Sequence, residues 1–474
     1  MMKRACCILV VLGGCTVHPV HDRALPDVHV PLSWGDVPEG HPHPQQWWRA
    51  YSDPMLDQWI DEALAHNQSL RQAWARMAQA RAQAGIAHAP LLPEVAVRSR
   101  NLSHTETDVR GVPGGSSGAT SVIVGAGLSW EIDVWKRIAN TAQAAQLTAQ
   151  ASAAQVHATA LALTGQVADA WFTIRATSEL LEVLDEQVAV SEALLQSVEY
   201  RYANGLGTAL QVLQQRQQVE AARAMIPPAQ ATLGVSWNAL ATLVGRAPQS
   251  MPEGMVEDFL PEVPPFPSLG APADLLVRRP DVRGAHHALA AADHAVAAAV
   301  ADRLPALRLT IDGDLHASNF GGPIDMTTVA IGGSFFQPIF DANRRRFEVD
   351  RQEAAVQERL AAWTDTFLTA TREVDDALER EQWQDALLIE IEKQIRIAQA
   401  QLAEAHLQYA DGLAEYLDVI NAVQVLQGLQ RQHVEARRQR LVYRANLYLA
   451  LGGDWMQDLE PPVNTRRVLS KEET

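Results

Sequence analysis

A seam of mostly apolar positions runs through Leu181, Leu184, Val188, Ser191, Leu195, Val198 and Tyr202 in steps of three and four. The same steps recur 207 residues later at Leu388, Ile391, Ile395, Ala398, Leu402, Ala405 and Tyr409. This heptad spacing predicts helices that pack on neighbours as coiled coils. Between Val134 and Ala203 there is no proline and Gly165 is the lone glycine. One unbroken helix over 134–203 would reach roughly 105 Å at 1.5 Å per residue, so an elongated molecule is expected. The second long helix falls at about 341–410. Gly205 and Gly412 end these helices, glycine being the usual terminator. Return helices follow at 208–245, with a break expected at Pro227-Pro228, and at 415–451. Connections this short imply antiparallel helical hairpins.

A second periodicity precedes each long helix. In LRLTIDGDLHAS, Leu307, Leu309, Ile311 and Leu315 alternate with Arg308, Thr310, Asp312, Asp314 and His316. That pattern predicts a strand with one apolar and one wet face. Its partner, at about 327–340, alternates through Val329, Ile331 and Phe335. In the first copy, Val122, Val124, Ala126, Leu128 and Trp130 alternate likewise, paired with a strand at about 94–104. The predicted strands are thus about 94–104, 121–133, 306–318 and 327–340. Strands of about ten residues with this alternation are a weak signature of an outer-membrane β-barrel, with a small soluble sheet as the alternative. Four strands cannot close a barrel, and an open edge cannot sit in lipid, so a barrel would require an oligomer.

The chain therefore contains one unit twice, at 68–245 and 280–452, joined by a Pro-rich insert at 246–279. The clearest echo is YANGLGTALQV from Tyr202 against YADGLAEYLDV from Tyr409. Leu92-Pro93 matches Leu304-Pro305 at an offset of 212, which places five extra residues in the first copy, in its GVPGGSSGA loop. The second phrase carries Tyr416 and Asp418 where the first has Ala209 and Gln211.

Composition narrows the function. The formal net charge of −17 excludes the basic footprint that nucleic-acid binding needs. Lys3-Arg4, a short apolar run and LGGC at 12–15 read as a signal peptide at 1–14 and a bacterial lipobox, with lipid carried on Cys15. Cys6 and Cys7 would leave with the signal, so disulfides and cysteine metal sites are not expected. No apolar run reaches the length of a membrane-spanning helix. His41, His43, His286, His287 and His294 form no recognisable ligand set, and they are expected to be solvated. Arg344-Arg345-Arg346 reads as an interfacial charge cluster. Phe259, Leu260, Phe266 and Leu269 suggest that the Pro-rich insert packs.

These features together resemble the TolC-like outer-membrane efflux family, in its lipoprotein branch of OprM and NodT type. The resemblance is carried by WWRAYSDPMLDQWIDEAL near 47, NQSLRQAWARMAQARA at 67, LSWEIDVWKR at 128, RRPDVRGAHHALAAADHAV at 278 and PIFDANRRR at 338. It implies a mainly α fold with a small β part: two tandem coiled-coil hairpins, each with a β-hairpin. It also implies a homotrimer with a 12-stranded outer-membrane barrel on a periplasmic helical tunnel. Residues 15–67, the insert 246–279 and the tail 453–474 would form the lipid anchor and a belt around the tunnel. The implied function is the exit duct of a tripartite efflux system, catalysing nothing. Its implied partners are a periplasmic adaptor (membrane fusion) protein, an inner-membrane pump of RND type and outer-membrane lipid. No cofactor is implied beyond the lipid on Cys15.

The resemblance further implies that the Gly205 and Gly412 turns form the periplasmic tip, and that Asp418 contributes to an acidic ring there. Asn421 stands where some relatives carry a second acid, and Gln211 is the first-copy counterpart of Asp418. Tyr409 occupies a position associated with gate contacts. A plain helix-start acid is the alternative for Asp418, and seam packing the alternative for Tyr202 and Tyr409. A lipid-tethered periplasmic coiled-coil adaptor or scaffold is the competing function. It would show one helical hairpin flanked by compact β-domains.

Overall fold

The computed structural model describes residues 18–20, 28, 32–34, 40–41, 46–106, 117–248, 260–318 and 322–462. The predicted signal segment, Cys15, most of the Gly-rich loop, Phe259 and most of the tail lie outside the described residues. The first copy runs α2 (Gln68–His88), β1 (Glu94–Glu106), β2 (Ser117–Ile132), α3 (Arg137–Ala203), α4 (Ala209–Arg223) and α5 (Ile226–Leu243), preceded by α1 (Pro54–His66). After a single turn, α6 (Leu275–Arg278), the second copy runs α7 (Pro280–Ala301), β3 (Ala306–Ala317), β4 (Ile324–Phe336), α8 (Arg344–Ala410) and α9 (Tyr416–Leu451). The chain divides into two compact units. One is built on residues 76–153 and 284–364, the other on 28–75, 154–283 and 365–474.

The first unit holds one antiparallel sheet of order β1-β2-β3-β4, so the strand pairs of the two copies join through β2 and β3. Its register separates two faces. Val95, Leu128, Ile311 and Ile331 lie in one cross-strand row, and Val97, Ala126, Gly313 and Val329 in the next. Ile132, Leu307 and Phe335 continue that face. The opposite face carries Arg98, Gly125, Asp314 and Thr328 in one row, and Glu131, Arg308 and Ser334 in another. The apolar face is uncovered: Val97 is 80% exposed and Ile331 75%. No helix among the described residues is long and apolar enough to cross a membrane.

Several boundaries differ from expectation for local physical reasons. The long helices begin at Arg137 and Arg344, three residues late. The residue just before each, Lys136 or Asn343, is left-handed (φ 58 and 64°), which turns the chain from strand into helix. The return helix of the first copy is two helices, and the first ends at Arg223, four residues before Pro227. A proline ring clashes with the carbonyl four residues back, so the break falls one turn ahead of the prolines. Strand β2 begins earlier than predicted, at Ser117, and β4 ends earlier, at Phe336.

The seam of α3 is also more polar than the heptad predicts. Leu184, Ser191 and Val198 are buried, but so is Gln187, while Tyr202 is half-exposed. Gln187 can be buried because Nε2 donates to Gln427 O (3.1 Å) and Gln430 Oε1 (2.9 Å) of α9.

The largest fully buried side chains of the second unit are aromatic. Trp47, Trp48, Tyr51 and Trp59 are buried with Trp171, Phe172, Tyr448 and Trp455. Asp53 caps α1 through Met55 N (3.0 Å) and Leu56 N (3.1 Å). The same carboxylate accepts from Trp171 Nε1 (2.8 Å) and pairs with the buried Arg175 (3.1 Å). The insert packs as expected: Leu260 and Leu269 are buried. Arg444 pairs with Glu381, donates to Pro264 O and lies over the Phe266 ring.

In the first unit the histidines are not simply solvated. His294 Nδ1 lies 2.9 Å from Asn140 Oδ1, and the His286 ring sits 5.0 Å from that of Trp363. Among the described residues no cluster of three or more potential ligands could hold a metal. Of the arginine triplet, Arg345 is bound to Asp302 (2.8 Å) and Asp341 (3.1 Å), while Arg344 and Arg346 are exposed.

Candidate functional site: the two helix turns

Both long helices end in the same hydrogen-bonded turn. In the first, Leu206 N donates to Arg201 O (2.8 Å) and Gly205 N to Tyr202 O (3.0 Å). In the second, Leu413 N donates to Gln408 O (2.8 Å) and Gly412 N to Tyr409 O (3.2 Å). This paired closure is the Schellman motif, and its glycine is left-handed, here with φ 74° at both Gly205 and Gly412. A Cβ at either glycine would meet nothing within 4 Å, so backbone conformation alone selects glycine. Leu206 and Leu413 are left exposed beside the turns.

The return helices open on matching caps. Thr208 N donates to Gln211 Oε1 (3.0 Å), and Gln211 N to Thr208 Oγ1 (3.3 Å), a complete capping box. At α9, Glu415 N donates to Asp418 Oδ2 (3.2 Å). Gln211 and Asp418 therefore hold the same third position of a helix and perform the same local task. Asp418 and Asn421 are both exposed, on the first and second turns of α9. The difference between the copies at this position is charge: one carboxylate against one amide.

The residue that does most beside the second turn is Tyr416, which an apolar seam did not single out as core. It is 3% exposed, in a cluster with Val198, Val212, Val419, Ile420 and Val423 that Leu402, Ala405 and Tyr409 border. Its ring centroid is 5.2 Å from that of Tyr409, over which the Arg201 guanidinium sits at 4.7 Å. Tyr416 Oη donates to Gln215 Oε1 (2.6 Å), and Gln215 Nε2 to Ser191 O (2.7 Å). Burial, helped by neighbouring Tyr409, pushes the Tyr416 hydroxyl well above its ordinary pKa and keeps it a donor. Gln424 Nε2 donates to Gln218 Oε1 (2.8 Å) further along. The sequence signal was present in the repeat: Tyr416 stands where the first copy has Ala209.

The two-fold hairpin plan, with its strands shared in one sheet, departs from the single hairpin and compact β-domains of an adaptor. Residues 59–246 and 271–453 match the family described as Outer membrane efflux protein, one segment for each copy. The chain belongs to the outer membrane efflux protein family. It is 33% identical over 426 residues to the pyoverdine export outer membrane protein OpmQ of Pseudomonas putida, covering 87% of this chain and 89% of that one. The OpmQ of Pseudomonas aeruginosa is 30% identical over 467 residues, covering 95% and 96%.

Among solved structures, the outer-membrane channel OprN superposes with a TM-score of 0.87. At 24% identity over 93% of this chain and all of that one, it speaks for the fold alone. The open-state outer membrane channel MtrE of Neisseria gonorrhoeae gives 0.81 at 26% identity, over 94% and 99%. The expected fold class of tandem helical hairpins with a small β part is thereby borne out. This efflux protein is an outer-membrane exit channel of a tripartite system.

Proposed function

We propose that three copies of this chain close one twelve-stranded barrel and conduct cargo passively, without catalysis. A periplasmic adaptor and an inner-membrane pump of RND type would deliver the cargo, and lipid on Cys15 would anchor each chain. The observation that carries the reading is the sheet. Its two faces are sharply segregated, its apolar face is bare, and β1 and β4 have no outer strand partner among the described residues. Unpaired edges are not tolerated in hydrocarbon, and three sheets of four strands would remove them. The gate is proposed at the helix turns. There Asp418, one per chain, would form a ring that repels itself and attracts cations, with Tyr409, Asn421 and Gln211 around it.

The detergent-solubilised protein is expected to have the mass of a trimer; a stable monomer would overturn the barrel. Support for lipidation comes from the LGGC motif alone. Cys15→Ser should abolish acyl labelling, and undiminished labelling would refute the anchor.

A further inference from the structure

On the polar face of the sheet, one arginine reaches across a neighbouring strand. Arg98 on β1 is opposite Gly125 on β2, which is opposite Asp314 on β3. Strands β1 and β3 are not adjacent. Even so, Arg98 Nη2 lies 2.5 Å from Asp312 Oδ1 and 3.7 Å from Asp314 Oδ1. The reach depends on two glycines of β2. A Cβ at Gly125 would collide with the Asp314 carboxylate, and one at Gly127 with that of Asp312. Gly127 also faces Arg98 Nη1 at 3.6 Å from the position its Cβ would take. The two carboxylates therefore lie over a glycine notch with one guanidinium to balance them. The cluster is open to water: the Arg98 side chain is 54% exposed, those of Asp312 and Asp314 29% and 24%. Nearer the helices, Glu131 is held between Arg137 (2.6 Å) and Arg308 (3.6 Å), so acid does not predominate there.

We propose that Arg98, Asp312 and Asp314 form the charge belt that sets the ion preference of the barrel lumen. The assignment rests on the three-chain barrel: with the apolar face toward lipid, the polar face lines the lumen. Each chain then supplies two carboxylates and one guanidinium to this cluster, one excess negative charge per chain, with Arg100 one row further along the same face on the side away from the helices. Rings of carboxylates favour cations and rings of arginines favour anions. Arg98 thus moderates a cation-selective belt, and the notch keeps the three groups at one level. Asp314 Oδ1 accepts no hydrogen bond among the described residues and faces Arg98 Nη2 at 3.7 Å.

The test is the reversal potential of purified full-length protein in planar bilayers under a potassium chloride gradient. Arg98→Gln should raise the cation-to-anion permeability ratio about fourfold, the scale for three unit charges roughly 10 Å from the axis at 0.1 M salt. Asp312→Asn with Asp314→Asn should shift the ratio toward anions by at least as much. This second variant carries the test if Arg98→Gln fails to assemble. Wild-type channels whose ratio moves with neither variant would overturn the belt while leaving the barrel standing. Failure of the wild type to form channels or trimers would overturn the barrel itself, and the belt with it.

Discussion

The two helix turns are near copies in backbone and unlike in what they bury. Each closes with the same pair of hydrogen bonds on a glycine at φ 74°, and each passes to a helix capped from its third residue. Yet Tyr202 is 50% exposed, whereas its repeat partner Tyr409 packs against Tyr416. The difference is one substitution along the next helix: Ala209 offers Tyr202 no ring, and Tyr416 offers one to Tyr409. The two turns share their hydrogen-bonded backbone, and their side chains make the second the packed one. The conserved geometry and the diverged packing can be broken separately.

The largest effect should come from Tyr416→Ala. It removes a buried aromatic ring and leaves Gln215 Oε1 without its donor. Large-to-small changes of this kind cost about 3–5 kcal/mol. Exposure of Tyr409 and faster amide exchange over 402–423 should accompany the fall in stability. Tyr202→Ala, at the repeat position that packs on no ring, should stay within about 0.5 kcal/mol. Equal losses at the two sites would erase the distinction between the turns.

That distinction also marks how far the sequence could be read. The glycines, the hairpins and the repeat were legible because turn chemistry and heptad spacing act locally. The strands were legible because one face must meet water and the other must not. Gln187 and Tyr416 were not legible as core, since a seam drawn from apolar residues passes over polar side chains that are buried only when a partner from a distant helix arrives. Gln187 needs Gln427 and Gln430, and Tyr416 needs Gln215, each far away in sequence. The crossing of β2 by Arg98 was likewise invisible. It depends on register among three strands, and alternation within one strand does not specify register.

An intermediate effect is expected at the glycines, where the turns should behave alike. Gly205→Ala and Gly412→Ala introduce no clash, because a Cβ has open space at both. The cost is that of holding an L-residue left-handed, about 1–2 kcal/mol at each site. Matched losses in thermal stability would show that the backbone of the two turns is equivalent. A much larger loss at Gly412 would mean that the packed cluster transmits turn strain, and would merge the two halves of the comparison.

The smallest stability change, and the sharpest test of role, is Asp418→Gln. It places the first copy's residue in the second copy's cap. Gln211 already shows that an amide at this position can accept from the backbone of the preceding cap residue. The cap should therefore survive, with a stability change within about 0.5 kcal/mol, set mainly by the loss of a favourable acid–dipole interaction. Three carboxylates would vanish from the proposed ring. If the ring gates the duct, single-channel conductance in planar bilayers should rise or change its cation preference while melting hardly moves. An unaltered channel together with unaltered melting would reduce Asp418 to the capping role it shares with Gln211. The charge difference between the two turns would then have no part in conduction.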